Sequence, residues 1–469
     1  MSEEKHKPGK DSLLEDGVSY YPADARQMQT YADASEALSR FQAPVLIHAD
    51  KPHERLFVAA FDGTGNDKDK DPNHATNVAR INDQIAAGDD SRIQVGYVPG
   101  PGTQDNLLAR TWDGMTGNTY DERLEQMYDK LVTQAKEWKA QDPDAEIRVA
   151  DIGFSRGAEQ AAGFARLVHE RGIVDPDSLQ VKVDEQGNKH VEYGRYLVPP
   201  GQTPQVEGLF DAVNTGRPED RDRRPPPSVI SGFQVIAEDE RRAKFKSDHI
   251  IDPGATPDGR FLGVVVAGAH SDVGGSYHRD GLAVRSENLM VDYLNTLSDK
   301  PYLQKAIEPD DPRLNVVHRS EEGMLLYRLD RKVDRDTPDG YNELLVPRRD
   351  MGKVADPFNA EPRDETLSNR FERQHVSIGA QTQAVQLGQP AQPVALRDST
   401  DDQFEALYRA AANKDDAASR QVAQAYAQSP DGQALLAQGQ QANRQAQQPP
   451  EAPLPPPQQQ QQQGPTLRP

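Results

Sequence analysis

The 469-residue chain contains no cysteine. Disulfides, thiolate metal sites and a cysteine nucleophile are therefore excluded, and the chain is indifferent to the redox state around it. Aromatic residues are sparse at 6% and the hydrophobic fraction is 35%, with a mean hydropathy of −0.82. These values are low for a chain packed throughout, so part of the length is expected to lie outside any core. Long apolar runs are missing as well. The longest, Phe261–Ala269, has nine residues, well short of the about 20 that span a bilayer. The opening MSEEKHKPGKDSLLED has no apolar stretch, so neither signal peptide nor anchor is expected, and synthesis as a soluble cytoplasmic protein is. Positive charge is in deficit: 54 Lys and Arg against 75 Asp and Glu give −21. That argues against a nucleic-acid partner and against simple electrostatic capture by anionic lipid.

What is present is organised around Glu146–Gly172. Ile147, Val149 and Ile152 have strand spacing, Gly153-Phe154-Ser155-Arg156-Gly157 interrupts it, and helical spacing follows. Ala158, Ala161, Ala162 and Ala165 make a small-residue helix face, and Gly172 stands where the helix should stop. Strand, G-x-S-x-G and helix together form the nucleophile elbow of α/β-hydrolases, in which Ser155 is held at a strained turn. Gly153 and Gly157 let strand and helix approach, and the helix N-terminus faces a developing oxyanion. The amide of Arg156, next after the serine, is then one oxyanion donor.

Strand-like runs alternate with helical ones on both sides of this stretch. Leu56–Phe61 reads as a buried strand closed by Asp62-Gly63-Thr64-Gly65-Asn66. The D-x-D-G-T strand end of a haloacid-dehalogenase phosphatase is ruled against, because Ala60 stands where its first Asp belongs. Backbone amides at Gly63 and Thr64 are read instead as oxyanion donors. Thr76–Ala87 is predicted as a helix, Ile93–Val98 as a strand and Asp121–Ala140 as an amphipathic helix. Val206–Phe210 is predicted as a strand, Gly232–Lys246 as a helix with a solvated or salt-bridged acid/base face, Phe261–Ala269 as a strand and Leu282–Leu297 as a helix. The pattern implies an α/β, doubly wound, mostly parallel sheet with insertions.

Serine hydrolysis needs a His base beside the hydroxyl and a carboxylate to fix the His tautomer. Ser155, Asp211 and His270 occur in the α/β-hydrolase order, each directly after a strand-like run. His278 stays open as the base, and Asp62, Asp239 and Asp272 as the acid; Asp272 is also read as shaping the loop after His270. No His/Asp/Glu cluster has metal-ligand spacing and no cofactor is expected, although the Asp-Gly loops leave a structural calcium open.

With these motifs in hand, LFVAAFDGTGND, ADIGFSRGA, EGLFDAVNTG, AEDERRAKF and VVAGAHSDVGGSY, in this order over residues 54–300, resemble the bacterial type VI secretion phospholipase effectors with a GFSRG elbow. The resemblance implies a phospholipase A-type esterase with Ser155 as nucleophile, Asp211 as acid and His270 as base. It departs from relatives at Gln234, where a His is usual, and at Ala212, where a Thr is. Membrane phospholipid as substrate, a cognate immunity protein, a secretion-system component as partner and delivery into a target cell are the expectations that follow. A serine esterase or amidase on soluble substrates, and a non-catalytic binding module, remain alternatives.

The domain reading is a peripheral segment over residues 1–50, a catalytic domain over 51–375 with an accessory segment from 301, and a linker, helical segment and disordered Gln/Pro-rich tail over 376–469. The Ala/Gln-rich part of that tail looks similar to recruitment regions of some type IV secretion effectors. Leu107–Leu108 and Trp112–Met115 are read as apolar positions for membrane contact at the mouth of the site.

Overall fold

The computed structural model describes residues 9–68, 74–100, 120–183, 189–214, 217–323 and 325–379. The proposed membrane-contact positions and the Gln/Pro-rich tail lie outside these residues. Met1–Ala384 forms one compact unit.

At its centre is a seven-stranded sheet. In chain order its strands are β3 (Glu54–Phe61), β4 (Ile93–Val98), β5 (Glu146–Phe154), β6 (Gln205–Phe210), β7 (Val229–Ala237), β8 (Gly254–Ala255) and β9 (Phe261–Val266). They lie in the order β8-β9-β7-β6-β5-β3-β4. Every pairing is parallel except β8 with β9. All eight residues of β3 and all nine of β7 are buried, because helices cover both faces and leave no solvated side to alternate with.

One face carries α1 (Ala25–Arg40), α2 (Asn77–Ala86) and α6 (Gly281–Thr296). Leu38, Ile81, Met290 and Leu294 pack there with Val58, Ile152, Phe233 and Val235. The other face carries α3 (Tyr120–Gln141) and α4 (Arg156–Arg171), where Leu131, Trp138, Ala161 and Phe164 meet Phe57, Phe61, Val149 and Leu209. Each large apolar side chain so buried contributes about 1.5–3 kcal/mol. The result is the mixed α/β, mostly parallel, doubly wound sheet expected from the sequence.

Two readings change. Val229–Ala237 is a strand rather than the start of a helix at Gly232. A strand covered on both faces is uniformly apolar, and such a run has no period that separates it from a helix. Residues 9–50, expected as peripheral, are packed into the unit. Asp24 caps α1 by accepting from the Gln27 amide at 2.8 Å, and Leu38 is fully buried. Flanking α1, β1 (Tyr20–Pro22) and β2 (Gln42–Pro44) pair antiparallel with β10 (Val316–His318) and β11 (Arg373–His375). Both ends of the segment are thus tied to the part of the chain that follows the sheet.

Candidate active site

The elbow is built by close backbone approach. Ser155 joins β5 to α4 at φ 60°, ψ −129°, a strained conformation for a residue with a side chain. A Cβ on Gly157 would stand 2.3 Å from the Phe61 carbonyl oxygen and 2.5 Å from that of Asp62. One on Gly153 would stand 2.4 Å from the Gly157 carbonyl oxygen. Both clashes are with backbone, which cannot swing away. Gly157→Ala should therefore push the end of β3 outward, lower stability by about 2–3 kcal/mol, and depress turnover more than that loss explains. A melting curve beside an ester-hydrolysis assay checks this; unchanged values in both would refute the packing argument.

The elbow presents the Ser155 hydroxyl to His270. Ser155 Oγ lies 2.7 Å from His270 Nε2, and His270 Nδ1 lies 2.5 Å from Asp211 Oδ2. All three residues are buried. Asp211 follows the end of β6 and takes φ 37°, which turns its side chain towards the end of β9. His270 opens the short helix α5 (His270–Gly274). Asp272 holds that helix start by accepting from the Ala269 amide at 2.9 Å, as the sequence suggested.

The charges around the imidazole alternate. Burial alone would raise the Asp211 carboxyl, but the Arg335 guanidinium and the His270 hydrogen bond outweigh it and hold it well below the usual range. Burial lowers His270 below the ordinary histidine value, against the raising effect of Asp211. At neutral pH the ring is therefore uncharged and able to take a proton. Glu240 Oε2 stands 3.3 Å from the backbone amide of His270, and its carboxylate is gripped by Arg242 at 2.8 Å. Glu240 is fully buried. The Glu240–Arg242 pair, read from the sequence as part of a solvated or salt-bridged helix face, is salt-bridged, but it follows a strand and forms part of the wall of the site. Rings close the remainder: Phe154 lies 4.6 Å from the His270 ring and Phe245 5.1 Å.

Of the residues read as an oxyanion hole, Gly63 has its amide turned onto Asp62 Oδ1 at 2.7 Å, so it serves the loop rather than the cleft. Asp62 is the hub of that loop. It also accepts from Thr76 Oγ1 at 2.7 Å and Tyr97 OH at 2.5 Å, and burial raises its carboxyl to about 6 against those bonds. It does not meet His270. Thr64 lines the cleft, and its hydroxyl accepts from Arg156 Nε at 2.6 Å. This bond ties the loop after β3 to the start of α4, where backbone amides point out of the helix end.

His278, the alternative base, lies against His74 with the rings tilted by 49° and their centroids 4.3 Å apart. Its backbone amide bonds Asp16 at 2.6 Å. Asp239 accepts from the Gly268 amide at 2.8 Å. Asp272 pairs with His318 Nδ1 at 2.5 Å, and Asp16 meets His318 Nε2 at 3.0 Å. Burial would lower His318, but these two carboxylates outweigh it and raise the ring to about 9. The N-terminal segment is thereby clamped to the helix that carries His270. Gln234 bridges Asp248 O and the Ile251 amide, each at 2.9 Å, a structural duty away from Ser155.

Ser155 and His270 open into a cavity of about 420 Å³, walled by Phe245, Tyr277 and Tyr327 together with Val18 of the N-terminal segment. Among the described residues no three His, Asp or Glu side chains cluster as metal ligands do, and no helix is long and apolar enough to cross a membrane. Sequence reasoning missed Arg335. It sits in a charge-dense stretch without periodicity, and nothing local marks it.

No curated protein matches the chain. Among solved structures it is similar to the Tle1 effector bound to the VgrG spike of the type VI secretion system. The two are 21% identical over 50% of this chain and 52% of that one, with a TM-score of 0.32. It is also similar to an uncharacterised protein from Pseudomonas aeruginosa, 17% identical over 88% of this chain and 64% of that one, with a TM-score of 0.36. An acetyl xylan esterase is 13% identical over 54% of this chain, with 97% of that chain covered and a TM-score of 0.23. The chain thus spans about half the length of the Tle1 structure. Residues 55–185, which hold all but the first residue of β3, the elbow and α4, match the family described as T6SS, Phospholipase effector Tle1-like, catalytic domain. The family recognised from the motifs and the family matched by this segment are the same, the type VI secretion phospholipase effectors.

Proposed function

We propose that the protein is a lipolytic serine hydrolase that cleaves an acyl ester of a membrane phospholipid. The observation that carries this is the hydrogen-bonded chain Ser155–His270–Asp211, at 2.7 and 2.5 Å, mounted on three strand ends of an α/β-hydrolase-like sheet. His270 Nε2 takes the Ser155 proton as Oγ attacks the acyl carbonyl. Asp211 holds the other ring nitrogen protonated and stabilises the imidazolium. The amides of Arg156 and Thr64 are the donors proposed for the oxyanion, with Arg156 Nε fixing the Thr64 side chain. Collapse of the tetrahedral intermediate expels the alcohol, which His270 protonates. Water, activated by the same imidazole, then releases the fatty acid from the acyl-enzyme. The phospholipid substrate rests on the family description of residues 55–185. Delivery into a target cell by a secretion-system component rests on the same description, and neutralisation by an immunity protein on the resemblance of the motifs to type VI secretion phospholipase effectors.

Purified protein incubated with phosphatidylethanolamine and phosphatidylglycerol liposomes should release fatty acid and lysophospholipid, and Ser155→Ala should release neither. Ser155-dependent cleavage of a soluble short-chain ester without lipid products would move the substrate into water. Failure of a fluorophosphonate to label Ser155 would remove the enzyme altogether.

A further inference from the structure

Arg335 lies beyond residues 55–185 and beyond the run of motifs that ends near residue 300, yet it reaches the centre of the site. Its side chain is 2% exposed. Nη1 donates to Asp211 Oδ1 at 2.8 Å and Nη2 to Asp211 Oδ2 at 3.1 Å. The same two nitrogens donate to the Ala237 carbonyl at 3.1 Å and the Phe245 carbonyl at 2.6 Å. One guanidinium thus holds both oxygens of the catalytic acid, the end of β7 and the loop that carries Phe245 against His270.

Taking the triad reading as its basis, we propose that Arg335 is a positioning residue of the hydrolysis: it fixes the Asp211 carboxylate by a two-point grip and draws off part of the negative charge that Asp211 would otherwise give to the His270 imidazolium. Two arguments support this. First, Asp211 sits at φ 37° just past the end of β6. Besides Arg335 its carboxylate has one donor on each oxygen, the Ala237 amide on Oδ1 at 3.0 Å and His270 Nδ1 on Oδ2 at 2.5 Å; the planar fork adds a second donor to each and fixes the plane. Second, a carboxylate shared between a guanidinium and an imidazole stabilises the protonated ring less than one bonded to the imidazole alone. His270 is faced by Ser155 from the elbow and Asp211 from β6. Glu240 and Arg242 face it from the segment after β7, and Asp272 lies on its own helix. Behind Asp211 stand Arg335 and the neutral His249, whose ring burial lowers to about 4. Glu240 and Arg242 offset each other as an ion pair, which leaves Arg335 as the cation that sets how much of Asp211 the ring feels.

The test compares Arg335→Lys, which keeps the charge and loses the fork, with Arg335→Gln, which loses both. Full-length protein is titrated with a fluorophosphonate so that rates refer to folded sites. Arg335→Lys should lower kcat roughly 10-fold with KM little changed and the acid limb of the kcat/KM profile in place. Arg335→Gln should lower kcat about 100-fold, as small misplacements of catalytic groups do, and move the acid limb upward by about one pH unit. A purely structural arginine would lower the melting temperature and the labelled fraction, leaving kcat per labelled site and the acid limb at wild-type values; that result overturns the proposal. Should Arg335→Gln not fold, Arg335→Lys decides alone, because wild-type kcat per labelled site would refute the two-point grip. Failure of the triad reading is separable, since it would show as an active Ser155→Ala whatever the Arg335 variants do.

Discussion

Ser155→Ala and His270→Ala should each lower kcat on any ester substrate by roughly 10^4- to 10^6-fold, and the double variant should be scarcely worse than either. The expectation follows from the geometry. With Oγ 2.7 Å from Nε2, the serine is useless without the base and the base without the serine. Multiplicative losses in the double variant would mean that the two residues act separately, and the triad would have to be abandoned. Asp211→Asn differs from the usual case. It should cost about 10^4-fold through the wrong His tautomer, and it should also destabilise the fold. Its partner Arg335 is buried and would lose its counter-charge, a loss of the kind that costs about 3–5 kcal/mol. Asp211→Asn combined with Arg335→Gln should recover part of that stability and none of the activity. The pH profile carries a sign as well. His270 must be neutral to act as a base, and its burial places it below the ordinary histidine value. Activity should accordingly persist below the pH at which a solvated histidine would be charged.

What could be read in the sequence was whatever a short segment determines by itself. Ser155 announces itself through Gly153 and Gly157, because a strand-to-helix turn with backbone approaches this close admits no side chain there. Asp211 and His270 were legible because each ends an apolar run of strand length, and an α/β sheet displays its functional groups where strands end. Residues whose role depends on distant chain segments were not legible. Arg335 meets Asp211 only after the chain has folded back over the end of β7. Glu240 and Arg242 look like part of a solvated or salt-bridged helix face until the fold buries Glu240 with Arg242 against it. Asp16 belongs to a segment that reads as peripheral, and its partners, His318 and the amides of His278 and Arg279, lie more than 250 residues away. Gly232–Ala237, the latter part of the strand Val229–Ala237, reads as the start of a helix because burial on both faces removes the alternation that marks a strand.

A last expected result lies in the sheet, under α4, away from the chemistry. Asp151 on β5 and Glu207 on β6 are register partners. Both are fully buried, and none of their four carboxyl oxygens has a hydrogen-bond partner among the described residues. Burial pushes Glu207 from 4.5 up to about 8, despite the lowering influence of Arg260 and Arg166. Burial, with Glu207 beside it, also raises Asp151 well above its ordinary value. Between the unfolded and folded pKa values of Glu207 the native state holds a proton that the unfolded chain has released. Stability must therefore fall as pH rises through that interval, and the full cost is present above it. Removing the charge by Glu207→Gln should change little near pH 4.5. Around pH 8.5 it should stabilise the protein by about 3–5 kcal/mol, since each pKa unit corresponds to about 1.4 kcal/mol. The difference between wild type and variant, followed by urea unfolding across this range, isolates Glu207 from the carboxylates that ion pairs hold at low pKa, such as Asp211 and Glu240. A difference that stays constant with pH would show that Glu207 ionises normally, and one that reverses sign would show that its charge has a partner in the folded protein. Activity should be unchanged in either buffer, because Glu207 touches none of Ser155, His270 and Asp211.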